Sequence, residues 1–122
     1  MKINATPKTP FILFDDSNFS LEIKGISCPE NPVQFYNPLF EELQGFLEKN
    51  AKLNMVVHLD YFNTGSSKCL LNIFNLLAER IEKKENSLVT WITEEEDMEL
   101  IEAGKIFQEM SGLTFTFESD NS

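Results

Sequence analysis

One stretch of the chain combines a strand that is apolar on both faces with an abrupt change to helical spacing. Residues 54–62 are rich in β-branched and aromatic side chains, which is typical of a central strand. One face carries Met55, Val57, Leu59 and Tyr61, and the other carries Val56, His58, Asp60 and Phe62. From the turn at 63–67 to about Lys83-Lys84, apolar residues recur every three or four positions, which predicts a helix. A central strand that runs straight into a helix indicates an α/β fold.

The N-terminal half adds a hairpin and a first helix. Residues 11–14 and 19–23 predict two antiparallel strands joined by turn formers at 15–18, with Lys24-Gly25 ending the second strand. Asn37-Pro38 has the form of a helix cap followed by a proline in the first turn, so a helix is expected from there to about Lys49.

The C-terminal part adds two strands and a third helix. Strands are expected at 87–92 and 113–118, and residues 119–122 are expected to fray. Thr93 and Glu96 match a capping box, which predicts a helix that begins there and ends near Gly112. The side chains expected to face inward from this helix are Leu100, Ile101, Ala103, Phe107 and Met110.

The predicted order is ββαβαβαβ, a mixed β-sheet of about five strands with three main helices. Strand–helix–strand units favour parallel pairing through right-handed crossovers, while the hairpin adds an antiparallel part. With 122 residues we expect one domain covering 1–122, with its core at about 8–118. The pattern leaves open whether the helices cover one face of the sheet or both.

Composition restricts the partners. Twenty acidic and ten basic residues give a formal net charge of −10, which argues against nucleic acid and anionic membranes as partners. The sequence has no run long enough for a membrane span and no secretion signal, so we expect a cytoplasmic protein. Cys28 and Cys69 lack C-x-x-C spacing, and His58 is the single histidine, so neither a zinc knuckle nor a multi-histidine metal site is expected. The five glycines are scattered singly and form no phosphate-binding loop, so no cofactor or small-molecule substrate is expected.

The turn before the second helix concentrates hydroxyl groups. Thr64, Ser66 and Ser67 lie between Asn63 and Lys68 at the positive end of the expected helix dipole. A phosphate on Thr64 would face the N–H groups of Gly65, Ser66 and Ser67, with Lys68 as a nearby cation. These residue types are also ordinary capping and turn formers, so the pattern alone leaves open a binding module that is never modified.

A third interpretation is a small thiol-dependent enzyme. Cys69 lies near the start of the second helix, and His58 and Asp60 share a strand face two residues apart, which imitates a nucleophile, a base and an orienting acid. The apolar neighbours of Cys69 favour a buried thiol instead. The acidic run at 94–97 is typical of a solvated helix start, although an all-carboxylate magnesium site has the same composition.

Three groups of residues resemble one family over about residues 8–118. They are Pro29-Glu30-Asn31 after Lys24-Gly25, Tyr61-Phe62-Asn63-Thr64 with Ser66-Ser67-Lys68-Cys69-Leu70-Leu71, and Asp97-Met98 leading to Glu102-Ala103-Gly104. In these motifs the chain is similar to the SiaC-type regulatory phosphoproteins. That family resembles the STAS-domain anti-sigma-factor antagonists in fold and works in bacterial partner switching.

The resemblance implies a non-enzymatic adaptor. In the family, the threonine of the Asn-Thr motif is phosphorylated by a dedicated serine/threonine kinase and dephosphorylated by a PP2C-like phosphatase. In the best-known system the unmodified form binds and activates a diguanylate cyclase, with biofilm formation as the output. By position in the motif that threonine is Thr64, with Ser66 and Ser67 as secondary candidates. The chain departs from the commoner Asn-Thr-Ser-Ser form by having Gly65.

Overall fold

Six strands form one sheet in a computed structural model of the chain, which describes residues 1–82 and 87–120. The strands are β1 (Lys2–Ile3), β2 (Phe11–Asp15), β3 (Ser20–Ser27), β4 (Leu53–Phe62), β5 (Ser87–Glu94) and β6 (Phe115–Asp120). The helices are α1 (Pro32–Lys49), α2 (Thr64–Arg80) and α3 (Met98–Ser111), with a short 3-10 turn at Asp16–Asn18. None of these helices is long and apolar enough to span a membrane.

The strands follow one another across the sheet in chain order. β1, β2 and β3 pair antiparallel, whereas β3 to β6 pair parallel through α1, α2 and α3. Because all three crossovers advance in the same direction, right-handed connections place the three helices on one face of the sheet. The predicted mixed α/β class is confirmed, with six strands where five were expected. β1 is the additional strand. It was not predicted because it is only two residues long, which is too short for an alternating pattern to show.

The core lies between the helices and that one face of the sheet. Buried side chains alternate along β4, where Leu53, Met55, Val57 and Leu59 point toward the helices. At the β5–β6 side the core is aromatic, with ring contacts among Phe62, Phe74, Trp91, Phe107 and Phe115. Phe74 is the member of this layer that belongs to α2, and Phe107 is the member that belongs to α3, so the rings join both helices to β5 and β6.

Helix α1 begins six residues earlier than expected. Asn31 caps it by accepting a hydrogen bond from the Gln34 N–H at 3.1 Å, and Pro32 is its first residue. The expected start at Asn37-Pro38 is therefore wrong, because Asn31-Pro32 carries the same signal upstream. Pro38 lies inside the helix, where its missing N–H leaves the turn one hydrogen bond short without ending it.

Helix α3 begins at Met98, and the expected capping box at Thr93 is wrong. Thr93 belongs to β5, is 4% exposed, and pairs with Ser119 of β6. Asp97 caps the helix instead, accepting from the Leu100 N–H at 3.1 Å. Strand pairing with β6 outweighs the local capping signal, because it satisfies the backbone of two more residues in the sheet.

An irregularity between β3 and β4 changes two expectations. β3 does not end at Lys24-Gly25 but continues to Ser27, because Gly25 adopts a positive φ of 113° at a register shift. Opposite this shift the alternation of β4 reverses. Tyr61, expected beside Leu59, is 56% exposed, while Phe62 packs against the core from the helix side.

The ends of three elements also differ from expectation. Helix α2 ends at Arg80, and Lys83-Lys84 lie outside the described residues. Met110 of α3 was expected inside but is 62% exposed, whereas Gly112 ends that helix as predicted, with a φ of 79°. Strand β6 continues to Asp120, so fraying from residue 119 is wrong for Ser119 and Asp120.

Candidate functional site

Thr64 is the first residue of α2, directly after β4 ends. Asn63 caps the helix by accepting a hydrogen bond from the Ser66 N–H at 2.8 Å, so the chain turns from strand to helix within one residue. The Thr64 side chain is exposed. A hydroxyl at this position lies at the positive end of a 17-residue helix.

The backbone amides around Thr64 are partly occupied. We expected the N–H groups of Gly65, Ser66 and Ser67 to be available to a phosphate. The Ser66 N–H already bonds the Asn63 side chain, and the Ser67 N–H bonds the Asn63 carbonyl oxygen at 3.0 Å. In the described part of the chain, the Gly65 N–H has no such partner. An anion at Thr64 would therefore meet that amide first and compete with Asn63 for the next.

The two secondary candidates have different surroundings. Ser66 is fully buried, and its hydroxyl donates to the carbonyl oxygen of Ser27 at 3.0 Å. Ser67 is half-buried, and its hydroxyl donates to the Thr64 carbonyl oxygen at 2.8 Å. Lys68 is exposed one helical turn after Thr64, on the same side of α2. Thr64 is thus the most accessible of the three hydroxyl groups.

Gly65 allows α2 to approach the start of α1. A Cβ added at Gly65 would lie 2.7 Å from Cγ of Pro32, closer than nonbonded carbons come. Pro32 occupies the space that a side chain at residue 65 would need. This contact explains why the chain has a glycine where the Asn-Thr-Ser-Ser pattern has a serine.

Two residues that sequence reasoning did not identify support this turn from below. Ser27 lies at the end of β3 and Tyr36 in the second turn of α1, and both are buried. The Ser27 hydroxyl lies 2.6 Å from the Tyr36 hydroxyl and donates to the Ser66 hydroxyl at 2.8 Å. This cluster could not be predicted from a local sequence pattern, because its members come from β3, α1 and α2. In addition, Ser27 lies beyond the residue at which the strand was expected to end.

An apolar groove between α2 and α3 begins beside the turn. It has a volume of about 380 Å³ and is lined by Phe62, Ser67, Lys68, Leu71, Ala103, Ile106, Phe107 and Met110. Ile106 is 53% exposed although it is a large apolar residue. A partner that contacts this groove would also contact the side of α2 that carries Lys68 and, one turn earlier, Thr64.

The residues of the thiol interpretation are not brought together. Cys69 is 8% exposed, lines a groove between α1 and α2, and burial raises the pKa of its thiol, which opposes the thiolate form. His58 alternates with buried Val57 and Leu59, so it lies on the sheet face opposite the helices. Its Nε2 is 3.2 Å from an Asp120 carboxylate oxygen. The sheet therefore separates the thiol from the imidazole.

The acidic run does not form a metal centre. Glu94 belongs to β5, the next two residues turn, and Asp97 caps α3. Across residues 1–82 and 87–120, no three histidine, cysteine or acidic side chains are grouped closely enough to bind a metal ion.

Known proteins match the chain over nearly its whole length. It is 25% identical to an uncharacterised protein of Pseudomonas aeruginosa strain UCBPP-PA14, covering 98% of this chain and 95% of that protein. The crystal structure of the P. aeruginosa diguanylate cyclase SiaD in complex with its activator SiaC contains a chain that matches with a TM-score of 0.91, 25% identity, and coverage of 98% and 99%. Apo-SiaC from P. aeruginosa matches with a TM-score of 0.87 at 25% identity and 98% coverage of both chains.

The family assignment follows from a direct match. The model of the SiaC family of regulatory phosphoproteins matches residues 3–120, which include β2 to β6, all three helices and the turn at Thr64. A chain of this kind regulates another protein and is not itself an enzyme. The chain therefore belongs to the SiaC family of regulatory phosphoproteins.

Proposed function

We propose that this chain is a signalling adaptor whose binding to a partner is switched by reversible phosphorylation of Thr64. A serine/threonine kinase adds the phosphate, a PP2C-like phosphatase removes it, and the regulated partner is a diguanylate cyclase. The observation that carries the proposal is the exposed hydroxyl of Thr64 at the first position of α2, in a member of a phosphoprotein family. We expect the exchange to take place in the cytoplasm, where a kinase has access to ATP.

Accessibility favours Thr64 over its neighbours. A kinase must bring the accepting oxygen into line with the γ-phosphate of ATP, which requires an exposed side chain. Ser66 is 0% exposed and its hydroxyl proton is engaged with Ser27, so its modification would require the turn to open. Ser67 is half-buried and bonded to the Thr64 carbonyl. Thr64 satisfies the requirement without any rearrangement.

Electrostatics explain why a phosphate here would change binding. It adds about −1.5 to −2 charges at neutral pH beside the helix N-terminus and within one turn of Lys68. The modified side chain would draw Lys68 toward itself and away from a partner in the adjacent groove. A partner with an acidic residue opposite Lys68 would also be repelled. The fold need not change for the affinity to fall.

Similarity to SiaC supports the choice of partner. The relative seen in complex with SiaD is similar to this chain over 98% of its length. The similarity therefore includes the whole fold of that relative and not only a fragment of it, which supports the same adaptor role for this chain. An adaptor of this kind would raise cyclase activity in its unmodified form and lose that effect when Thr64 carries phosphate.

The test is phosphorylation by the cognate kinase with Mg-ATP, followed by mapping of the modified residue. The wild type should gain one phosphate on Thr64, Thr64→Ala should gain none, and Ser67→Ala should still be labelled. The labelled and unlabelled forms are then compared for binding to, and activation of, the cognate diguanylate cyclase. Full labelling of Thr64→Ala would reject the site, and equal binding by both forms would favour a constitutive binding module.

A further inference from the structure

Three hydroxyl groups form a continuous chain inside the protein. Ser27 and Ser66 are 0% exposed and Tyr36 is 2% exposed. Ser66 donates to the Ser27 carbonyl oxygen at 3.0 Å, and the Ser27 hydroxyl donates to Ser66 at 2.8 Å. Since the Ser27 proton is already used, Tyr36 donates to Ser27 across 2.6 Å. Each hydroxyl proton is thus used once, and the chain runs from α1 through β3 to α2.

The hydroxyl chain ends at the turn that holds Thr64. The Ser27 carbonyl oxygen accepts hydrogen bonds from the Ser66 hydroxyl and from the Asn63 N–H, both at 3.0 Å. Asn63 and Ser66 flank Thr64 on either side, and they are also bonded to each other. One residue of β3 therefore fixes both ends of the segment that presents the accessible hydroxyl.

Stability alone does not account for three hydroxyls at this place. Neutral hydrogen bonds contribute little net free energy, and apolar groups of the same shape often stabilise a core as well. What hydroxyls add is direction, since each bond constrains the angle and distance between two elements. Burial raises the pKa of Tyr36 to about 12, so the phenol keeps the proton that it donates throughout the physiological range.

We propose that Tyr36, Ser27 and Ser66 are positioning residues that hold the Asn63–Gly65 turn so that a kinase can reach Thr64. This role rests on the proposed function, in which Thr64 is the modified residue. Ser66, which the sequence suggests as a second acceptor, instead serves as the tether of that acceptor segment. The cluster sets the orientation of the Thr64 hydroxyl relative to α2, whereas the surfaces that dock the kinase lie outside it.

Steady-state phosphorylation of the full chain by its cognate serine/threonine kinase tests the role. With docking surfaces unchanged, loss of positioning should lower kcat for Thr64 while KM stays within twofold. Tyr36→Phe removes one bond and should lower kcat roughly threefold, whereas Ser66→Ala removes two and should lower it roughly tenfold. Measurements are made at a temperature at which every variant is more than about 95% folded, as followed by Trp91 fluorescence.

Two controls separate positioning from stability. Ser111→Ala removes a hydroxyl that donates to the Phe107 carbonyl oxygen at the C-terminal end of α3. Gly104→Ala adds a methyl group that crowds Trp91 in the core. Both should leave kcat within twofold. The hydrogen-exchange rate of the Asn63 backbone N–H, which bonds the Ser27 carbonyl oxygen, should rise roughly tenfold in Ser66→Ala. It should be unchanged in Ser111→Ala.

The outcomes distinguish the two proposals. If the wild type is labelled on Thr64 while Tyr36→Phe and Ser66→Ala match its kcat, the positioning role is refuted and the proposed function stands. If the controls lose as much activity as the cluster variants, the effect is one of stability and the role is refuted as well. A wild type that is not labelled on Thr64 refutes the proposed function and this role with it.

Discussion

Gly65 and Pro32 should behave as a coupled pair. A Cβ at residue 65 would lie 2.7 Å from Cγ of Pro32 and 3.4 Å from its Cβ, and a proline ring has little freedom to move aside. Gly65→Ala should therefore destabilise the protein by about 1–3 kcal/mol, the usual cost of overpacking, less a few tenths for the better helix former. Pro32→Ala should cost about 0.5–1 kcal/mol through greater freedom of the unfolded chain.

The double variant is where the structure makes its sharpest claim. Pro32→Ala removes Cγ, so Gly65→Ala made in that background should cost almost nothing. We expect a coupling energy of about 1–2 kcal/mol between the two sites, well above the roughly 0.5 kcal/mol seen for independent positions. For 122 residues, 1 kcal/mol corresponds to about 4 °C in Tm.

Urea unfolding followed by tryptophan fluorescence is a suitable assay, because Trp91 is the single tryptophan and is 2% exposed. Gly45→Ala is the matched control. It is also a helical glycine, but a Cβ there meets nothing within 4 Å, so the change should stabilise α1 by about 0.5–1 kcal/mol. Additive effects of Gly65→Ala and Pro32→Ala would refute the proposed contact, whatever the size of each.

Two further predictions use the same assay. Gly104→Ala should destabilise the protein by about 1–3 kcal/mol, because its Cβ would lie 2.6 Å from the Trp91 indole and 2.9 Å from the Phe117 ring; a stability equal to wild type would contradict this packing. For Tyr36, the folded pKa of about 12 exceeds the unfolded value of 10.0, so the protonated form stabilises the fold below pH 10 and that contribution is lost as pH rises to 12. Wild type should lose up to roughly 3 kcal/mol more than Tyr36→Phe over this interval, and parallel pH profiles would contradict the assignment.

The errors at helix starts share one physical cause. Asn31-Pro32 and Asn37-Pro38 are equally good local signals for the start of α1. In the same way, the start of α3 could be capped either by Thr93 paired with Glu96 or by Asp97. The choice depends on what the flanking backbone does in the fold. Strand pairing with β6 holds Thr93 in the sheet, which leaves Asp97 as the cap.

The bulge between β3 and β4 was not predictable for a similar reason. Alternation along residues 54–62 is unbroken in the sequence, and nothing in it marks the change of face after Leu59. The reversal comes from the pairing of the two strands: Gly25 and Ile26 of β3 pair with Leu59 and Tyr61, which leaves Asp60 as an extra residue in β4 opposite the positive φ of Gly25. Phe62 thereby joins the aromatic core, and Tyr61 turns to solvent.

The amino-acid sequence by itself determined the class of the fold, the strand-to-helix turn at Asn63-Thr64 and the position of Thr64 at the helix start. These features depend on periodicity and capping, which act between residues close together in the chain. Only the tertiary structure decided that Ser66 is buried, that Thr64 is exposed, and that Ser27 and Tyr36 lie beneath them. The hydrogen bonds beneath the turn join residues up to 39 positions apart in the chain. Such residues come into contact only when β3, α1 and α2 pack together, so no local pattern predicts them.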